Sequence, residues 1–178
     1  MRILSSLIFS VAISTAVVWG QTVQKWVIYE SVEGRYSVSL PAEPKLADQE
    51  ADDASGKKLP QYLATVEDGN AAFIVGHFDY DSQSVFSLDK ARDGLLANIK
   101  GTLISEESAR LETFPGRSLV AEAESGSITF LVRARFFDAA GRVYVLQFIL
   151  PKVEDGPSAI AKSKKFFDSF RVMKAAQK

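Results

Sequence analysis

The sequence predicts an α+β domain, a twisted antiparallel β-sheet with helices packed against its faces. Three observations lead there. The C-terminal half carries a meander of strand-like segments separated by turn residues, with apolar side chains on both faces. Two other segments repeat their apolar residues at helical spacing. Once a leader is set aside, about 158 residues remain, enough for one domain with a packed core.

The leader comes first. Met1-Arg2 gives a positive start, Ile3 to Val18 runs apolar with serine interruptions, and small residues close it. This is the pattern of a secretory signal peptide over residues 1–20, with cleavage after Ala16 or after Gly20. An uncleaved anchor is the alternative, although a membrane span needs roughly 20 apolar residues. Residues 21–178 then form a single domain, periplasmic or secreted, with no stable membrane insertion after cleavage.

Trp26 to Ser31 and Tyr36 to Leu40 read as strands around the turn Glu33-Gly34-Arg35. Pro41 and Pro44 end that run, and the polar stretch Ala47 to Lys58 reads as a mobile surface loop. Leu59 to Val66 and Ala71 to Phe78 form a hairpin across Glu67-Asp68-Gly69-Asn70, where Asp-Gly suits the backbone of such turns. A helix follows, capped by Ser87, with Leu88, Ala91, Leu95 and Ile99 on one face and Gly101 as its left-handed end. Short strands are expected near Thr102 to Ser105 and Arg110 to Thr113. The meander then runs Gly116 to Ala123, Ile128 to Phe137 and Arg142 to Leu150, turning at Ser125-Gly126 and Ala139-Ala140-Gly141. The last helix opens at Gly156-Pro157 and places Ile160, Phe166, Phe167 and Phe170 on its apolar side.

Register arithmetic separates the meander's two faces. If Phe137 pairs with Arg142, Arg135 faces Tyr144, Ala134 faces Val145 and Arg133 faces Leu146. One face then holds Phe130, Val132, Ala134, Phe136, Val143, Val145 and Ile149. The other holds Leu131, Tyr144, Leu146, Phe148, Leu150 and the two arginines. Apolar residues on both faces require cover on both.

Composition removes several function classes. The formal net charge is −1, and loss of Arg2 with the leader makes it one unit more negative. Nucleic-acid binders carry a strong basic excess, so none is expected as partner. There is no cysteine, which excludes disulfides, a thiol nucleophile, thiolate metal sites and a cysteine-linked lipid anchor.

The chemical candidates are few. His77, the single histidine, lies in a strand segment without a Gly-x-Ser-x-Gly elbow; it reads as a packed side chain, with a hydrolase as the remote alternative. Ser87-Leu-Asp-Lys90 matches Ser-x-x-Lys, but Ser55-Gly-Lys-Lys58 repeats the match in a loop and no Lys-Thr-Gly follows, so helix capping is preferred. Two acidic groups, Asp48, Glu50, Asp52, Asp53 and Asp79 with Asp81, fail the EF-hand spacing, which leaves a solvated surface as the reading over a nonstandard calcium site. No metal and no cofactor is expected. Lys162, Lys164, Lys165, Arg171, Lys174 and Lys178 make the C-terminal region basic, suited to solubility and the helix dipole or, alternatively, to an acidic partner or anionic lipid. Arg133, Arg135 and Tyr144 form the one candidate ligand-binding constellation: two cations beside an aromatic suit an anion, or else pack their stems and pair with carboxylates.

Several short stretches occur in a familiar order: Glu33-Gly34-Arg35-Tyr36 running to Pro41 and Pro44, Ala91-Arg92-Asp93-Gly94-Leu95, Phe114-Pro115-Gly116-Arg117, Arg133-x-Arg135, Gly141-Arg142-Val143-Tyr144, and Phe166-Phe167-Asp168-Ser169-Phe170. With these, the chain resembles a group of small exported bacterial proteins of uncharacterised function and, more remotely, the PsbP/Mog1 fold. The resemblance implies an α/β/α sandwich on a twisted antiparallel sheet. Characterised members of that fold are mainly binding or accessory proteins, one assisting the water-oxidising side of photosystem II and another binding a small nuclear GTPase. The expectation for this chain is a non-enzymatic binding or accessory domain that contacts a protein or envelope component. The alternative is a carrier of a small anion or ion near Arg133, Arg135 and Tyr144.

Overall fold

Tight turns and strand alternation organise the chain. The computed structural model describes residues 25–52, 57–80 and 86–173. The strands in order are β1 (Val27–Ser31), β2 (Tyr36–Leu40), β3 (Lys45–Asp52), β4 (Lys58–Asp68), β5 (Ala71–Asp79), β6 (Thr102–Leu111), β7 (Phe114–Ser125), β8 (Ile128–Asp138), β9 (Arg142–Pro151) and β10 (Arg171–Val172). Helix α1 (Leu88–Ile99) joins β5 to β6, and α2 (Pro157–Ser169) lies between β9 and β10. The leader 1–20, with both cleavage candidates, lies outside the described residues, as do Asp53, Ser55, Asp81, Lys174 and Lys178.

The fold is α+β. A seven-stranded antiparallel sheet has the order β3-β4-β5-β9-β8-β7-β6, and a three-stranded sheet the order β1-β2-β10. Helix α1 covers one face of the large sheet, burying Leu95 with Phe78, Leu119, Ala134, Phe136 and Val145. On the other face α2 and the small sheet share the cover, enclosing Phe73, Tyr144, Leu146, Phe148, Phe166 and Phe170. Both faces of the meander are buried, as its two apolar faces require.

The register differs from the expected one by two residues. Phe137 pairs with Tyr144, Arg135 with Leu146, and Arg133 with Phe148. The cause is the turn: Ala139 donates its N–H to the carbonyl of Arg142 at 2.8 Å, leaving only Ala140 and Gly141 as loop. Both have positive φ, 51° and 108°, as a tight type I′-like hairpin turn requires. A shift of two preserves which side chains share a face, so the predicted partition survives.

Other elements also depart from expectation. Ala47 to Lys58 is not a loop throughout: β3 takes residues through Asp52 and pairs in continuous register with β4. It is an edge strand, and an edge tolerates the charged side chains Asp48 and Glu50 that disguised it. The two short strands around Glu106 are one, β6, the other edge of the large sheet. The hairpin between β4 and β5 turns on Gly69-Asn70 alone, with Asp68 paired to Ala71. On α2, Phe166, Phe167 and Phe170 are buried but Ile160 is exposed; the buried stripe passes through Ser163 instead.

Helix α1 ends one residue earlier than Gly101 suggested. Lys100 takes the left-handed conformation at φ 50°, with Lys100 N–H on Ala97 O and Gly101 N–H on Leu96 O, at 3.2 and 2.8 Å. That is a Schellman pattern with lysine at the strained position. Gly101 serves a different need: a Cβ there would lie 2.8 Å from the carbonyl oxygen of Glu122, so the chain passes too close to β7 for any side chain.

Candidate functional site

The predicted constellation is divided by α2. Arg133 and Arg135 stand two residues apart on β8 and splay towards opposite ends of the helix. Arg133 Nη2 donates to both carboxylate oxygens of Asp155, at 2.9 and 2.8 Å, just before the helix begins. Arg135 lies 3.6 Å from Asp168 in the last turn and 4.8 Å over the Phe167 ring. Arg133 Nη1 is buried without a hydrogen-bond partner. Tyr144, diagonal to Arg135 on the same sheet face, is 2% exposed, its hydroxyl donating to the Gly34 carbonyl at 2.9 Å. The two arginines thus pair with carboxylates at the two ends of α2, while the tyrosine hydroxyl bonds the β1–β2 turn.

The Tyr144 hydroxyl belongs to a polar cluster between the two sheets. Antiparallel pairing of β5 with β9 sets His77 opposite Tyr144 and Asp79 opposite Arg142, so all four project from the same face. Arg142 is buried and grips Asp79 with Nε and Nη2, at 2.5 and 2.6 Å, while its Nη1 donates to the Glu33 carbonyl at 2.7 Å. The Arg142 guanidinium bonded to it holds the Asp79 carboxyl below the usual range. The bonds to Glu33 and Gly34 fasten the β1–β2 turn to the large sheet. Gly34 is needed there: a Cβ would stand 2.5 Å from the Tyr36 ring and 2.8 Å from the Ser31 hydroxyl that accepts its N–H.

Aromatic rings close the cluster. Tyr62 of β4 stacks on His77 with centroids 5.1 Å apart, and Tyr36 of β2 meets the same imidazole at 6.0 Å. Tyr36 also contacts Tyr29, Tyr144 and Phe170. Burial, then the neighbouring Arg142, push the His77 pKa down to about 4. Burial is the chief cause that raises the Tyr36 and Tyr144 hydroxyls above the ordinary phenol value, helped by Tyr29 at Tyr36 and by Asp79 at Tyr144. Neither ring nitrogen of His77 has a hydrogen-bond partner, so no described serine hydroxyl stands within reach for proton transfer. Sequence reasoning singled out His77, Tyr144 and Asp79 separately and met Arg142 only within a motif, but missed the Asp79–Arg142 pair and its place beside His77. The available signal was an acid at the end of one strand and a base at the start of another.

The remaining candidates are engaged in the fold. Ser87 caps α1, accepting from Lys90 N–H at 3.5 Å. Lys162 pairs with Asp68 at 2.6 Å, Lys164 with Asp168, and Lys165 lies 4.4 Å over the Trp26 ring. Arg171 donates to the carbonyls of Asp168 and Phe170, satisfying groups at the end of α2. Among the described residues, no group of three or more His, Asp and Glu side chains is placed to hold a metal ion, and no helix is long and apolar enough to cross a membrane. An open cleft of about 450 Å³ lies between the start of α1 and the β6–β7 hairpin, lined by Leu88, Ser108, Arg110, Pro115 and Arg117 among others. A second, of about 330 Å³, lies on the β3–β4 edge by Asp48, Glu50 and Lys58.

No family model matches the chain, and no curated protein matches it. Solved structures do. The chain is similar to cyanobacterial PsbP (CyanoP) from Synechocystis sp. PCC 6803, at 10% identity and a TM-score of 0.60, over 86% of this chain and 95% of that one. A protein of unknown function from Pseudomonas aeruginosa matches at 11% identity and TM-score 0.45, over 78% and 91% of the two chains. A Bacteroides thetaiotaomicron VPI-5482 structure matches at 14% and 0.49, over 85% of this chain and 50% of that one. The first likeness shows a PsbP-like fold; the other two carry no argument.

Proposed function

We propose that residues 21–178 are the mature form of an exported accessory domain, periplasmic or secreted, which acts without catalysis by contact with a protein or envelope component. The β1–β2 hairpin carries this reading. It presents Ile28 and Val32, 73% and 85% exposed, on an element bonded to the large sheet through Glu33 and Gly34. Large aliphatic side chains held in water gain free energy when a partner covers them. An element already fixed in place loses little conformational entropy on binding. The PsbP-like fold supports the same class by analogy, and the leader pattern supports export.

The test is photo-crosslinking from Ile28 or Val32 in the envelope of a bacterial host, with exposed Glu124 as control position. A discrete adduct from the hairpin positions, lost on Ile28→Asp with Val32→Asp in a folded protein, is the expected result. Equal labelling from all three positions would overturn this surface.

A second reading, a carrier of a small anion at Arg133 and Arg135, has one observation in its favour: Arg133 Nη1 is a buried donor without an acceptor. A bound anion would supply one.

A further inference from the structure

His77 is 2% exposed beneath the β1–β2 hairpin, and the exposed Arg35 of that turn adds a second cation, beside Arg142, that acts on Asp79 and Tyr144. Tyr36 faces it from β2 and Tyr62 from β4. Tyr144 and Arg142 come from β9, and Asp79 from its own strand. Helix α2 reaches this corner through the uncharged Phe170. Asp79 is the one described carboxylate acting on the imidazole, and both its oxygens are bonded to Arg142. We propose that the hairpin is an acid-released latch: a proton taken from solvent by the His77 ring lifts the turned end, Ser31 to Tyr36, off the large sheet.

The physical argument is one of unmatched charge. A neutral imidazole packs between two tyrosine rings and sets no charge beside Arg142. A charged one would be desolvated, next to the Arg142 cation, with neither ring nitrogen bonded to an acceptor in the closed form. The shortest route to water is displacement of Tyr36, which belongs to the hairpin. The Glu33 and Gly34 carbonyl bonds, the Met173 N–H on the Arg35 carbonyl, the β10 pairing at Tyr36 and Ser37 and the strand's apolar contacts oppose that movement. The sign follows from proton binding. The closed form holds its histidine near 4, the released form near the ordinary value of about 6.5. The released form therefore binds more protons between those values. Closure is fully favoured above about 6.5, loses ground as pH falls towards 4, and changes no further below it. This latch does not depend on the hairpin being the contact surface proposed above.

Hydrogen exchange on the full chain, corrected for the intrinsic pH dependence of exchange, tests it. From pH 7 to about 4.5, amides of residues 31–36 should lose more than roughly tenfold protection while those of β8 and β9 hold. His77→Phe should abolish that selective loss. Because the chain has one histidine, its ring proton can be followed by NMR, which covers the case of a variant that fails to fold. In wild type the ring and the hairpin amides should then titrate with one shared midpoint well below 6.5. Unchanged hairpin protection, equal loss in folded His77→Phe, separate midpoints or an ordinary histidine titration would each overturn the latch.

Discussion

The Tyr144 hydroxyl donates to the carbonyl of Gly34, 110 residues earlier in the chain, across 2.9 Å of buried space. Next to it, Arg142 reaches Glu33. Two short motifs, Glu33-Gly34-Arg35-Tyr36 and Gly141-Arg142-Val143-Tyr144, thereby meet as one joint between the sheets. Tyr144→Phe keeps the ring packing and removes the donor, leaving the Gly34 carbonyl unsatisfied. The expected loss is about 1–3 kcal/mol in urea unfolding; an unchanged midpoint and slope would show that water replaces the bond.

Phe170 caps α2 and is fully buried, touching Tyr36, Tyr144 and Phe137. It joins the small sheet to the large one. Phe170→Ala should cost about 3–5 kcal/mol, the range for deleting a buried aromatic. Chemical denaturation showing less than about 1 kcal/mol would mean the helix end is peripheral.

Arg133 and Arg135 separate the two functional readings. Replacing both with Met keeps most of the stem volume and removes the bonds to Asp155 and Asp168, which lie at the partly exposed flanks of α2. Stability should fall by no more than about 1–2 kcal/mol, since such pairs contribute modestly. A thermal-shift screen of anionic metabolites and lipids should show no wild-type shift that the double variant loses. One that is lost in the folded variant would favour the anion carrier, because a native-state ligand raises the melting temperature by mass action.

Processing is a separate expectation. Protein recovered from a bacterial periplasm should begin at Val17 or Gln21 by intact mass. Full-length protein retained in the membrane fraction would favour an uncleaved anchor instead.

What could be read from the chain in advance follows from which interactions are local. The face partition of β8 and β9 was legible because side-chain direction has period two, and an error of two in register leaves it intact. The register itself was not, because Ala140 adopts a positive φ that its residue type does not advertise. Strand β3 was hidden since an edge strand needs no apolar alternation. The short motifs were recognisable one by one, but their pairing was not. Arg117 bonds Asp89 beside the Ala91–Leu95 stretch, Arg135 approaches Asp168, and Arg142 reaches Glu33. Those contacts exist only after non-neighbouring strands have been ordered in space, and the polar cluster at His77 arises in the same way.

That ordering has a temporal side. The small sheet is built from the first strands to be synthesised, β1 and β2, and from β10 at residues 171–172. Ser39 N–H bonds the Ser169 hydroxyl 130 residues later, and Met173 N–H bonds the Arg35 carbonyl. Contacts so distant along the chain are slow to form, because loop closure must precede any gain from them. In synthesis from the amino end, the β1–β2 hairpin can meet β9 once residues 142–151 are made, but its β10 edge stays open until residues 171–172 follow. Closure of the small sheet is therefore a late event relative to formation of its first hairpin.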